Sequence, residues 1–244
     1  MTGMTARGIY ASILLALGFV LQVFLDRPLS EYMMLALLSA SLGVSWTFWR
    51  GAPLLFLIGS STGLAFEVVG LSTGLPFGAY TYTWRAPRVF GVPVPVVIAW
   101  GTYLYASYLS ALPLAGRWKR ALAATLYMVL LDLGVDPVMV EKGLWMWSAQ
   151  CPCWFGVPFT NYLGWATVSA TAILVYQRLV KREPASRPAV SFTVLAACLP
   201  ILKEASGGAV LPALASFALL ATASSALYLI SRKGRKAEAE KLYY

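Results

Sequence analysis

Histidine is absent from this 244-residue chain, and cysteine occurs only three times. Without histidine, the chain lacks the usual imidazole base and the commonest metal ligand, and it cannot form a serine–histidine–acid triad. Cys151 and Cys153 form Cys-Pro-Cys, which is too tight for an ordinary disulfide, and Cys198 lies in an apolar run. We therefore expect small buried thiols, no metal site and no cofactor.

Charged residues are also scarce, at 12% of the chain, whereas soluble domains carry about 25%. The hydrophobic share is 59% and the mean hydropathy is +0.70, which is typical of a chain surrounded by membrane lipid. The net charge of +9 does not favour a nucleic-acid partner, because the basic residues lie in short loops and a tail between apolar runs. Such positions carry orientation signals instead.

The apolar runs are close to the length that spans a bilayer, about 20 residues, and they do not alternate in polarity. They predict an all-α integral membrane protein, a bundle of about eight (seven or eight) transmembrane helices. The segment at 189–205 is the weakest, because it is short and contains Pro200. The predicted spans are 8–25, 30–49, 52–71, 94–113, 118–137, 158–179, 189–205 and 209–231.

If these spans alternate in direction, most of the 19 basic residues fall on the side of the membrane that holds both termini. Basic loops face the cytoplasm in most membrane proteins. The sequence therefore predicts a multi-pass protein of the cell membrane with cytoplasmic N- and C-termini. We expect one transmembrane domain at 1–231 and a charged cytoplasmic tail at 232–244.

Two long connections, 72–93 and 138–157, are rich in glycine, proline and aromatic residues, and both fall on the predicted outer side. This composition favours the membrane interface or a re-entrant position packed on the bundle. The tripeptide Phe-Gly-Val followed by proline occurs at Phe90–Pro93 and again at Phe155–Pro158. These four residues form a faint internal repeat.

Three carboxylates are expected at membrane depth, where a charge is costly and therefore needs a polar partner or a functional role. Glu67 lies about one turn from the outer end of the third span. Asp132 and Asp136 are four residues apart on one face of the fifth span, and Pro137 marks the end of that helix or a kink. Glu183, by contrast, lies in a loop and is expected to be solvated.

Other polar and aromatic residues are predicted at the same membrane level as these carboxylates. Asn161 and Trp165 begin the sixth span, and Trp100 lies in the outer part of the fourth. The two outer connections add Tyr80, Tyr82, Trp145 and Trp147. Taken singly, these tyrosines and tryptophans are typical of an interfacial aromatic belt.

This residue set supports three kinds of chemistry, and spacing alone does not separate them. Burial and a neighbouring negative charge keep a carboxyl protonated, and aromatic faces stabilise cations, so the set suits acid-catalysed hydration of an alkene. Asp-rich membrane sites also hold Mg²⁺ in isoprenoid or prenyl-lipid transferases. A proton- or cation-coupled transporter could use the same carboxylates as a relay.

Motifs between about 60 and 166 carry a more specific signal. In chain order they are Glu67–Gly74, Phe77–Tyr82, Phe90–Pro93, Ala99–Trp100, Asp132–Pro137, Gly143–Trp147 and Phe155–Trp165. Together they resemble the carotenoid biosynthesis membrane proteins, a family that includes carotenoid hydratases. The first two and last two spans carry no matching motif.

The resemblance implies a cofactor-independent hydro-lyase of the carotenoid 1,2-hydratase type. Such an enzyme adds water to the terminal ψ-end double bond of an acyclic or monocyclic carotenoid and leaves a tertiary alcohol. The expected partners are membrane lipid, the lipid-soluble carotenoid and other enzymes of carotenoid biosynthesis.

The catalytic roles are hypotheses within that resemblance. Asp132 or Asp136 would donate the proton, and Glu67 would be its partner or would orient the water. The remaining candidates would bind substrate. Hydrogen bonds to water or to the product hydroxyl would come from Asn161, Tyr80 and Tyr82. Aromatic walls of the pocket would come from Trp100, Trp145, Trp147 and Trp165.

Overall fold

The computed structural model describes residues 2–148, 153–181, 183–184 and 192–240. These ranges contain eight α-helices, which confirms the prediction of an all-α chain. Each predicted apolar segment coincides with one of them. The helices are α1 (Thr2–Phe24), α2 (Leu29–Trp46), α3 (Ala52–Thr73), α4 (Val94–Ala111), α5 (Arg117–Glu141), α6 (Phe159–Leu179), α7 (Phe192–Glu204) and α8 (Val210–Glu240).

Four stretches in the described part of the chain are helical, long and apolar enough to cross a membrane: Ala6–Phe24, Ala52–Thr73, Arg117–Glu141 and Gly207–Arg232. The helix α7 is much shorter than these and contains Pro200. The helix α8 extends to Glu240, so the described part of the predicted tail continues the last helix.

The helices α3 to α6 form the centre of the bundle. In this group, α3 and α5 each pack against both α4 and α6. The pair α1 and α2 packs beside it, and α7 and α8 pack against α5. The carboxyl ends of α3 and α5 therefore lie near the amino ends of α4 and α6, where the candidate site residues were predicted.

Six short strands occupy the two aromatic connections, and the sequence had predicted none. They are β1 (Tyr80–Tyr82), β2 (Arg88–Val89), β3 (Val92–Pro93), β4 (Trp145–Trp147), β5 (Cys153–Trp154) and β6 (Val157–Pro158). The antiparallel pairs are β1 with β4, β2 with β3 and β5 with β6. The two connections are thus joined to each other through β1 and β4.

The Phe-Gly-Val-Pro repeats form two equivalent hairpins. Phe90 and Gly91 have φ of 49° and 86°, and Phe155 and Gly156 have φ of 50° and 83°. Positive φ at both central residues is what a two-residue type I′ hairpin requires. Each hairpin leads through its proline into a helix, α4 or α6.

The expectation that the fifth helix could end at Pro137 is wrong. Pro137 lies inside α5, which continues to Glu141. Asp132 and Asp136 are therefore both held on one continuous helix, with the side chains one turn apart on the same face.

The expectation that Glu183 is solvated is also wrong. Its side chain is only 4% exposed and forms ion pairs with Arg117 at 3.6 Å and Arg120 at 2.8 Å. Tyr108 also donates a hydrogen bond to its carboxylate at 2.5 Å. Buried charge requires this kind of pairing, and the sequence contains no local signal for it because the arginines are more than 60 positions away.

The prediction for the cysteines is corrected at Cys153, which is exposed and disulfide-bonded. Cys151 lies outside the described residues. Cys198 is a buried free thiol, as expected from its apolar neighbourhood.

Candidate active site

A cavity of about 550 Å³ lies at the end of the bundle where α3 and α5 terminate. This volume is within the usual range for small-molecule pockets. Its wall contains Glu67 and Asp136 together with all seven of the predicted substrate-binding residues. These are Tyr80, Tyr82, Trp100, Trp145, Trp147, Asn161 and Trp165.

Glu67 accepts hydrogen bonds from three side chains. Its Oε2 receives the hydroxyls of Tyr80 at 2.5 Å and Tyr82 at 2.7 Å, and its Oε1 receives the indole N–H of Trp100 at 3.0 Å. The carboxylate is buried, with 6% exposure. The three side chains that form these hydrogen bonds all donate to the carboxylate, which is the arrangement that suits an ionised carboxylate.

The two tyrosines remain proton donors over the physiological pH range. Burial, with the negative charge of Glu67, raises the pKa of the hydroxyls of both Tyr80 and Tyr82 above that of an ordinary tyrosine. Their position follows from β1, because alternate residues of a strand point to the same face. Thr81, the residue between them, faces away and is exposed.

Asp132 and Asp136 form a second carboxyl centre, bridged by Asn161. The amide nitrogen of Asn161 donates to Oδ2 of Asp132 at 2.7 Å and to Oδ2 of Asp136 at 2.5 Å. The two aspartates also contact each other, and the indole of Trp145 contacts Asp136. All three residues of this bridge are at most 4% exposed.

The two aspartates differ in their access to the cavity. Asp136 lines it, whereas Asp132 is fully buried behind Asn161 and does not. Oδ1 of Asp132 receives no hydrogen bond from a donor group in the described part of the chain. Asp136 is therefore the member of the pair that can reach a bound molecule.

Aromatic side chains surround the two carboxyl centres. Tyr80 is paired with Trp147, and Tyr82 with Trp145, across the β1–β4 ladder. The indole N–H of Trp147 donates to the backbone carbonyl of Phe77 at 2.9 Å, which ties this wall to the segment between α3 and β1. Ring faces and apolar atoms near buried carboxylates form an environment that excludes bulk water and stabilises positive charge.

The cavity wall also includes residues that the sequence did not single out. Phe19 and Met34, on α1 and α2, line its apolar part. Charged residues from the α1–α2 turn and the end of α7 line another part, including Arg27 and Glu204. Glu204 forms an ion pair with Lys142. These helices carry no motif, so only the packing of α1 on α4, of α2 on α3 and of α7 on α4 and α5 identifies them.

No solved structure matches this chain. Over 119 residues the chain is 34% identical to a protein of Haloarcula japonica described as bisanhydrobacterioruberin hydratase. That match covers 45% of this chain and 39% of the relative, so less than half of the archaeal protein is represented. The model of the family described as carotenoid biosynthesis protein matches residues 29–229, most of the chain, and the protein therefore belongs to this family.

Proposed function

We propose that the protein is a carotenoid hydratase, a hydro-lyase that adds water to the terminal ψ-end double bond of an acyclic or monocyclic carotenoid. The product is a tertiary alcohol. The observation that carries the proposal is the buried Asp132–Asn161–Asp136 bridge beside an aromatic-lined cavity. Membership of the carotenoid biosynthesis family and similarity to a protein named as a hydratase support the same activity.

The aspartate pair is the proposed source of the proton. Two carboxyl groups in contact are stable in a buried site when they share a proton, because two neighbouring negative charges repel each other. Asn161 has only two amide N–H groups, and they contact one oxygen of each aspartate. A proton on the pair completes this arrangement, and Asp136 presents it to the cavity.

Protonation of the terminal double bond forms a bond between the proton and the less substituted carbon. Positive charge then develops on the carbon that carries two methyl groups. The rings of Trp100, Trp145, Trp147 and Trp165 would surround that charge. Water adds to the cation, loses a proton and leaves the tertiary alcohol, so the reaction consumes one water and no cofactor.

The proposed location is the cell membrane. The four long apolar helices and the aromatic and apolar side chains lining the cavity suit a substrate that arrives from lipid. We further propose that the chain crosses the membrane several times with both termini in the cytoplasm, in accordance with its basic loops.

The test is expression in a host that makes lycopene or another ψ-ended carotenoid, with mass analysis for the gain of one water. Asp132→Asn and Asp136→Asn should each lower hydration by about 10²–10⁴-fold, the usual contribution of a general acid. Glu141→Gln is the matched control, since Glu141 is an exposed carboxylate of the same helix outside the cavity.

The same assay separates other outcomes. Full activity in both aspartate variants would overturn the acid assignment. An activity that consumes an isoprenoid diphosphate and is abolished by adding a metal chelator would instead identify a Mg²⁺-dependent transferase. Ion or proton flux in liposomes without any change in the carotenoid would identify a transporter.

A further inference from the structure

The central helices and their connections repeat after a shift of 65 positions along the chain. The helices α3 and α5 begin at Ala52 and Arg117, and α4 and α6 begin at Val94 and Phe159. The strands β1, β2 and β3 begin at residues 80, 88 and 92, while β4, β5 and β6 begin at residues 145, 153 and 157. No insertion or deletion interrupts this correspondence.

Backbone conformation follows the same shift except after α3, where Gly74 has positive φ while its equivalent, Met139, still lies within α5. The residues with positive φ at Gly78, Phe90 and Gly91 correspond to Gly143, Phe155 and Gly156, which also have positive φ. L-residues such as phenylalanine seldom adopt this conformation. Two copies at equivalent positions therefore indicate one structural unit used twice, at 52–111 and 117–176.

The contacts between the units indicate a pseudo-twofold axis. In the β1–β4 ladder, Thr81 is paired with Met146, its own equivalent. The two neighbouring pairs, Tyr80 with Trp147 and Tyr82 with Trp145, are equivalent to each other by the same 65-residue shift. Trp100 and Trp165 are also equivalent, and their rings lie against each other with centroids 4.2 Å apart. The helix packing agrees, because α3 and α5 each contact both α4 and α6.

The two carboxyl centres occupy equivalent places about this axis. Glu67 corresponds to Asp132, and each belongs to a centre whose hydrogen-bond donors come from its own unit. For Glu67 the donors are Tyr80, Tyr82 and Trp100; for the aspartates they are Asn161 and Trp145.

The units differ at positions that contact these carboxylates. In the second unit, Asp136 and Asn161 stand where the first unit has Leu71 and Val96. In the first unit, Tyr80 and Tyr82 stand where the second has Trp145 and Trp147. One centre has therefore acquired a second carboxyl and a bridging amide, whereas the other has acquired two hydroxyl donors.

We propose that these two carboxyl centres perform opposite proton transfers: the Asp132–Asp136 pair donates the proton to the alkene, and Glu67 accepts the proton released by the attacking water. This division rests on the proposed hydratase function. The three side chains hydrogen-bonded to the Glu67 carboxylate all donate to it, so this carboxylate is arranged to accept a proton, while the aspartates share too few donors for two charges. The cycle closes when the proton on Glu67 returns to the pair through solvent.

The experiment uses the full chain in deuterated buffer with lycopene and follows two quantities by mass spectrometry. One is hydrated product, and the other is deuterium in recovered lycopene, which appears when the cation forms and loses a proton again. Glu67→Gln should lower hydration at least 100-fold and still incorporate deuterium into the substrate. Asp136→Asn should lower both quantities at least 100-fold.

Two further variants complete the series. Asp136→Leu with Asn161→Val installs the residues of the first unit at equivalent positions; its melting temperature should fall because Asp132 loses the Asn161 donor, and its folded fraction should lose both activities. Glu67→Asp should recover part of the hydration that Glu67→Gln loses. Variants are compared at equal amounts of monodisperse protein in detergent.

The outcomes separate this inference from the function on which it rests. Wild-type protein that neither hydrates nor exchanges the substrate would overturn the hydratase proposal. Suppose instead that the wild-type protein hydrates lycopene. If Glu67→Gln then loses deuterium incorporation as fully as Asp136→Asn does, the division of roles between the two carboxyl centres is wrong, but the hydratase proposal stands. Deuterium incorporation that is retained in Asp136→Asn would also overturn only this division.

Discussion

The hydroxyl of Tyr80 lies 2.5 Å from Oε2 of Glu67, although the two residues are 13 positions apart and belong to different kinds of structure. Tyr80 is on a short strand, and Glu67 is on the helix that precedes it. The contact exists because β1 pairs with β4 of the second connection and folds back over the end of α3. It connects the aromatic wall of the cavity to one of its carboxyl centres.

Loss of the tyrosine hydroxyls should therefore impair Glu67. Tyr80→Phe and Tyr82→Phe should each lower hydration about 10- to 100-fold, because a hydrogen bond to a charged group contributes about 1.5–3 kcal/mol. The double variant should lose more than either single variant. Initial rates with lycopene measure this, and Tyr32→Phe is the control because Tyr32 is 66% exposed. Unchanged rates in the double variant would contradict the role of these donors.

Asn161 should be needed for activity and for stability. Asn161→Leu preserves an approximate volume but removes the amide that bridges Asp132 and Asp136. An unsatisfied buried polar group costs about 1–3 kcal/mol, so the melting temperature should fall, and hydration should decrease at least 100-fold. Thr167→Val on the exposed face of α6 should change neither value. Thermal unfolding in detergent gives the melting temperature, and product yield gives the hydration activity. Wild-type values of both in Asn161→Leu would contradict this prediction.

Gly63 should be intolerant of even one added carbon. A Cβ at this position would overlap the indole of Trp100, which donates to Glu67. Gly63→Ala should therefore displace Trp100, lower hydration and cost about 1–3 kcal/mol through overpacking. At Gly43 a Cβ meets no atom within 4 Å, so Gly43→Ala should be neutral or stabilise its helix by up to about 1 kcal/mol. Equal effects of the two substitutions on rate and melting temperature would refute this expectation.

The ion-pair cluster at Glu183 should support the fold and leave the chemistry unchanged. Glu183→Gln leaves Arg117 and Arg120 without their carboxylate, and breaking a buried pair costs about 3–5 kcal/mol. The melting temperature should fall, while the rate per folded molecule should stay constant because Glu183 does not line the cavity. Glu31→Gln breaks the exposed pair with Arg27 and should have little effect on stability. A specific loss of rate in Glu183→Gln would show that the cluster acts on the site.

Much of the site was predictable because its residues are unusual for their surroundings. Glu67, Asp132 and Asp136 were singled out since charge is costly in apolar helices, and alternation of the spans placed them at one level. The structure brings Glu67 and Asp136 to one cavity and places Asp132 directly behind it. The eight helices followed from the length and spacing of the apolar runs.

Other features had no local signal. The buried state of Glu183 depends on arginines of a distant helix, and the contributions of Phe19 and Met34 to the cavity depend on how α1 and α2 pack. The strands were missed because their residues are glycine, proline and aromatic types that also suit the membrane interface. The repeated Phe-Gly-Val-Pro motif was visible, but four residues did not reveal a unit that extends over two helices and three strands.

The sequence by itself determined that this chain is helical, that it belongs in a membrane and that Glu67, Asp132 and Asp136 lie near the same end of their helices. These properties depend on composition and periodicity, which act locally along the chain. Only the tertiary structure decided which carboxylates share a donor, which one faces the cavity and that two similar units meet at Trp100 and Trp165. The physical reason is that a hydrogen bond or a ring contact depends on distances of a few ångströms between residues far apart in the chain, and packing alone sets those distances.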